Sequence, residues 1–179
     1  RGTSSDPYNG QMDQVRIFNK AISASEVTKL YNEIQCADTI TTPESYFNTT
    51  IYSGNNSNRS FTNLNFSPDF VWTKNRSGSY NHVLNDSIRG ANKIIYSDLA
   101  NAQDTAGGAG SAYFNSFNSN GFTVGNSVYY NASGSNYVAW AWKAAASNTT
   151  NNDGTIASTV RASQESGFSI VTYSPNNTV

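Results

Sequence analysis

The sequence predicts a mainly β protein, an antiparallel β-sandwich with one short helix near its N-terminus. Three observations predict it. From about residue 46 onward, short runs rich in Val, Ile, Tyr, Phe and Trp alternate with clusters of Asn, Gly and Ser, the punctuation of consecutive strands and turns. Aromatic residues make up 13% of the 179, as much as all charged residues together, so there is apolar surface enough to build a core and escape disorder. A single stretch, "SASEVTKLYNE", carries helical spacing instead.

Taken in order, "GQMDQVRIFNK" reads as a strand buried partly on both faces, with Met12, Gln14, Arg16 and Phe18 on one side and Asp13, Val15, Ile17 and Asn19 on the other. A helix over 25–34 follows. Ser23 and Glu26 form a capping box at its start, and Val27, Leu30, Tyr31 and Ile34 recur at its period. The polar stretch 37–44 with Pro43 is a linker. Strands are expected near 46–53, 60–65, 69–75, 81–86, 92–97, 111–117, 121–125, 127–131 and 136–144. A second linker covers 147–155, rich in Asn and Thr that bond to their own backbone. Two further β-like runs, "TIASTVRAS" and "GFSIVTYS", come after it.

The last of these runs repeats an earlier one. "YFNTTIYSGNN" from Tyr46 and "GFSIVTYSPNN" from Gly167 align Phe47 with Phe168, Tyr52 with Tyr173 and Ser53 with Ser174 at a spacing of 121 residues. A period that long is a module, not a solenoid turn.

Charge and motifs argue against several classes of function. A net charge of −1 offers no basic stripe to neutralise phosphates, and the longest apolar run, "YVAWAWKAAA", is far short of the roughly twenty residues a bilayer demands. Cys36 is the only cysteine, so no internal disulfide and no multi-thiolate metal site can form. The one imidazole, His82, reads as a locally satisfied strand residue, since no serine stands near it in an elbow context. Asp69, Asp86, Asp98 and Asp104 have no spacing that suggests a glycosidase pair. "AGGAG" reads as a flexible turn, and Asp86 with Arg89 as an ion pair across a turn closed by Gly90.

In "YVAWAWK" the strand period sets Val138, Trp140 and Trp142 on one face and Tyr137, Ala139, Ala141 and Lys143 on the other. The indole face is expected in the core, and Trp72 with Phe70 likewise. A ligand site is then expected on the loops of "NSVYYNASGSN", through Tyr129, Tyr130, Asn131 and Asn136. Few charges and many neutral hydrogen-bonding side chains suit an extracellular or particle-exposed surface.

Two resemblances extend this reading. "YNGQMDQVRIFNKAISASEVTKLYNE" resembles the C-terminal end of laminin G-like, concanavalin A-type jelly-roll domains, through Gly10, Asp13, Val15, Arg16, Ile17, Asn19, Ala21, Ser23, Glu26, Leu30 and Tyr31. It covers only the tail of such a domain. The elements F-x-P-D-F-V-W-x-K-N-R from Phe66, D-S-x-R-G from Asp86, G-F-x-x-G from Gly121 and Y-V-A-W-A-W-K from Tyr137 resemble a repeated β-sandwich module of tailed-phage structural proteins. Together they imply the tail of a jelly roll over 1–36, a sandwich module over 45–146 and the start of a further module over 156–179. The first resemblance implies a calcium ion as the one candidate cofactor, with Asp6 or Asp13 as oxygen ligands.

The expected function is that of a non-enzymatic virion protein, a tail-fibre, tail-associated or capsid-surface component. Its loops would meet a host-surface glycan or protein. Expected partners are other virion proteins and sister copies, with a trimer as the expected oligomer; nucleic acid and membrane insertion are not expected. The alternatives are an architectural decoration or connector subunit, or a carbohydrate-binding segment of a secreted bacterial enzyme.

Overall fold

The computed structural model describes residues 17–35 and 42–175. Two compact units divide the chain, 1–39 and 40–179. In the first, helix α1 runs from Ala24 to Gln35. Its capping box forms as expected. The Ser23 N–H donates to Glu26 Oε2 at 2.7 Å, and the Glu26 N–H donates back to Ser23 Oγ at 3.3 Å, satisfying two amides that the first turn would leave orphaned. Those hydrogen bonds hold the exposed Glu26 carboxyl below its usual value, the backbone bond from Ser23 most of all. The strand expected around residues 10–20 lies mostly outside the described residues. Ile17 is 93% exposed and carries no strand geometry.

The second unit is all β. Its strands are β1 (Phe47–Ser53), β2 (Arg59–Phe61), β3 (Phe70–Asn75), β4 (Val83–Asp86), β5 (Ile95–Tyr96), β6 (Phe114–Asn118), β7 (Gly121–Val124), β8 (Asn136–Trp142), β9 (Thr149–Asn151), β10 (Ser158–Ser163) and β11 (Phe168–Tyr173). A five-stranded sheet in the order β1-β8-β3-β4-β5 faces a three-stranded sheet β2-β7-β6, and a second three-stranded sheet follows in the order β11-β10-β9. Every strand pairing among the described residues is antiparallel. One apolar cluster joins the first two sheets. Tyr52, Val71, Val83, Tyr137, Ala139 and Ala141 from the first meet Phe61, Phe114, Phe122 and Val124 from the second, so the protein is a β-sandwich, as the run spacing predicts.

The core face of β8 is the opposite of the one expected. Tyr137, Ala139 and Ala141 point inward at no more than 1% exposure, while Trp140 and Trp142 lie on the outer face, half-buried. Trp72 and Phe70 share that outer face, and Val71, Thr73 and Asn75 go inside. Size misleads here because both faces are covered. Alanines leave room for the phenyl rings of the facing sheet, whereas Trp142 packs between Phe47 at 5.0 Å and Phe70 at 5.4 Å, and Trp140 against Trp72 at 5.8 Å.

Other elements depart locally. The run 127–131 is a helical turn instead of a strand, since the amides of Tyr130 and Asn131 both donate to Ser127 O. β9 falls inside the expected linker and pairs with β10. The glycines of G-F-x-x-G have a steric cause. A Cβ at Gly121 would stand 1.8 Å from Phe61 O, and one at Gly125 2.1 Å from Ser111 O, distances open to glycine alone.

Candidate functional site

β1 and β3 end, and β4 and β8 begin, at one end of the five-stranded sheet, so the loops 54–58, 76–82 and 127–135 gather there. Buried amides fix these loops. Asn75 Nδ2 donates to Val128 O at 2.8 Å, and its Oδ1 accepts from the Ser77 N–H at 2.8 Å. Asn131 Nδ2 donates to Asn55 Oδ1 and to Ser57 O, tying the 127–135 loop to the β1–β2 loop. Tyr137 Oη donates to Val128 O at 2.9 Å and accepts from the Ala132 N–H at 3.0 Å. A neutral amide or phenol buried with all its partners costs little and orients what it holds.

On this scaffold stands Tyr129. Its ring has Tyr96 at 5.9 Å, Tyr113 at 6.3 Å and Tyr80 at 6.3 Å between centroids. Tyr80 and the adjoining Val128 are 39% and 40% exposed. Burial, followed by the neighbouring Tyr129 and the Asp104 charge, raises the Tyr96 phenol above its usual value, so it stays neutral. The result is a patch of aromatic faces edged by hydroxyls, able to stack on an apolar surface and to hydrogen-bond at its rim.

Of the four loop residues expected to bind, Tyr129 lies at the centre of this cluster. Asn136 is exposed at the start of β8, where its Oδ1 accepts from Ser53 Oγ at 2.8 Å. Tyr130 and Asn131 are not surface groups. Both are fully buried: Tyr130 Oη donates to Asn85 Oδ1 at 2.8 Å and its carbonyl accepts from Tyr52 Oη at 2.6 Å. The helical turn at Ser127 rotates them inward, where a strand would have alternated them. Tyr80, Tyr96 and Tyr113 were missed because three separate segments bring them in, and no spacing signals that.

Other candidates resolve into structural roles. Trp72 Nε1–H donates to His82 Nδ1 at 3.0 Å, so that nitrogen is occupied. His82 lies just before β4, satisfied locally though not within a strand. Asp86 pairs with Arg89, and its Oδ1 also accepts the Ile88 and Arg89 amides. Gly90 closes that turn at φ 98°. Asp69 accepts from Ser87 Oγ, the Ala144 amide and Arg161. Among the described residues no three His, Cys, Asp or Glu side chains converge as a metal ion requires. Asp6 and Asp13 lie outside the described residues. No described helix is long and apolar enough to cross a membrane.

A groove of about 290 Å³ opens elsewhere, over Thr150, Ser158, Thr159, Thr172, Tyr173 and Ser174. Its hydroxyls could bond to a polar ligand, yet Tyr173 is its one aromatic. The tyrosine cluster, with four aromatic rings, offers more aromatic surface.

The family described as Domain of unknown function (DUF7483) matches residues 42–179, and the chain belongs to it. No curated protein and no solved structure matches the chain.

Proposed function

We propose that this family member is a non-enzymatic structural component of a tailed-phage virion, in a fibre, tail-associated or surface position, and that its loop end recognises a neutral host-surface glycan. The observation that carries the recognition part is Tyr129 ringed by three tyrosines beside exposed Val128, on loops braced from behind by buried asparagines. Pyranose rings present apolar C–H faces bordered by hydroxyls, which aromatic faces bordered by phenols match. Preformed loops spare the ordering cost of binding. A single shallow patch of this size binds weakly, and repetition along a fibre or in an oligomer raises its avidity. The virion assignment is supported by the four resembling motifs and by a surface poor in charge.

An array of neutral oligosaccharides probed with the chain tests this. Binding is expected to fall at least tenfold in Tyr80→Ala with thermal unfolding unchanged, and as much in Tyr129→Ala, which also lowers the unfolding temperature because its ring packs against the core; binding that ignores both substitutions refutes the site. Antibody labelling of purified phage particles tests the location.

One observation favours the architectural reading, a subunit touching only sister proteins. Edge strand β1 leaves Ile51 68% and Phe47 40% exposed on the outer face of the large sheet, an apolar margin suited to protein contact.

A further inference from the structure

We infer that two copies of this chain pair β1 to β1, antiparallel about a two-fold axis at Thr49, and so join their large sheets into one. The inference rests on the architectural reading of β1 in taking its partner to be a protein, and it needs no glycan.

A free sheet edge invites pairing, and folded proteins normally blunt it. Of the four outer strands of the sandwich, β1, β5, β2 and β6, three are blunted. β5 has only two residues, β2 has three and carries Arg59, and β6 is broken by an irregularity between Phe114 and Ser116. β1 has no such guard. It runs for seven residues in unbroken register with β8, and its sequence FNTTIYS holds no charge and no proline.

The hydrogen bonds already made define what is left. The Lys143 N–H donates to Tyr46 O and the Gly54 N–H to Ser135 O, each at 2.8 Å. Even-numbered residues of β1 therefore turn their backbone groups toward β8, and alternation turns those of Phe47, Thr49, Ile51 and Ser53 to the open edge. Arg59 Nη1 donates to Ser53 O at 2.8 Å, which closes that end. The free stretch is 47–51, and its middle is Thr49.

Paired antiparallel with its own copy, that stretch is self-complementary. Phe47 lies opposite Ile51 of the second copy and Ile51 opposite Phe47, and each pair exchanges both of its hydrogen bonds. These two are the large apolar side chains of the edge, exposed at 40% and 68% on the same outer face. On the inner side Asn48 meets Thr50, polar against polar. Ser53, with Arg59 on its carbonyl, comes beside Ser45 and the exposed Glu44 of the second copy, so opposite charges meet at both ends. Neighbouring registers fit worse. A two-fold at Thr50 would require from Ser53 O the bond it gives to Arg59, and one at Asn48 would set Ile51 against Ser45, which is outside the strand.

A two-fold contact uses one patch on both molecules and closes on itself, so it makes pairs and not filaments. A seam one strand long falls below the ~1,200 Å² of stable interfaces, which corresponds to a dissociation constant of about 10 μM to 1 mM.

Sedimentation velocity of the chain from about 5 μM to about 1 mM tests this. A monomer–dimer equilibrium is expected, weakened roughly tenfold or more by Ile51→Lys with the unfolding temperature unchanged, because that side chain is exposed. In a Cys36→Ser background, Thr49→Cys is expected to form a disulfide-linked dimer roughly tenfold faster than Ile51→Cys, because only the residue on the axis meets itself. Species that grow past the dimer, faster linking at residue 51, or a dimer indifferent to Ile51→Lys overturns the inference. A chain that stays monomeric throughout also overturns it, and leaves the architectural reading with a different protein as partner.

Discussion

Thr73 sits on the inner face of β3, fully buried, and its hydroxyl has no hydrogen-bond partner. An unsatisfied buried hydroxyl costs about 1–3 kcal/mol, and Val has nearly the same shape. Thr73→Val is expected to raise stability by about 1 kcal/mol, read as a higher urea midpoint at unchanged slope; a lower midpoint would show that the hydroxyl has a partner after all. Its neighbours behave differently. Asn75, Asn85 and Asn131 are equally buried but fully engaged. Sequence reasoning places Asn in loops, because the residue bonds to its own backbone. Here it does so from inside, so the buried asparagines were illegible although the loops they brace were foreseen. The same holds for Tyr130, whose identity fits a recognition loop as well as a core.

At the scale of elements, most strands were legible because each is a short β-branched or aromatic run between turn residues, and the capping box marked the helix start. The face of β8 was not. Alternation tells which residues share a side, but when both sides are apolar it cannot say which side is covered first. β9 was hidden because three residues of Thr and Asn carry no burial signal; pairing with β10 alone makes them a strand. The β9–β11 sheet is held to the sandwich by Arg161, which reaches Asp69 and Ser87 Oγ, and by Tyr46, whose hydroxyl donates to Glu165. Arg161→Ala leaves Asp69 with two of its three partners. A loss of about 2 kcal/mol is expected, less than for a fully buried pair because the guanidinium keeps some solvent contact. Amide exchange should quicken across β10 and β11 while β3 and β8 stay protected, and uniform quickening would refute a local clamp.

For the whole molecule, the interior holds the buried phenols of Tyr52, Tyr130 and Tyr137 among its hydrocarbon side chains, which makes stability sensitive to strong alkali. Burial raises the Tyr52 and Tyr130 hydroxyls well above the usual phenol value of about 10. The unfolded chain therefore releases these protons first as pH rises, so the folded state binds more of them above pH 10 and loses stability there. Below that value their contribution is intact. The decline is about 1.4 kcal/mol per pH unit for each such tyrosine, and urea midpoints measured from pH 8 to 11.5 check it: flat, then falling. A flat profile throughout would mean that these hydroxyls reach solvent. The same rigid, phenol-braced end carries the proposed glycan site, and an NMR titration of the labelled chain with an array-selected neutral oligosaccharide tests it most directly. Shifts are predicted at Tyr80, Tyr96, Tyr113, Val128 and Tyr129, with β9–β11 unmoved. Shifts confined to the groove at Thr150, Thr159 and Thr172, or to Phe47 and Ile51, would contradict it.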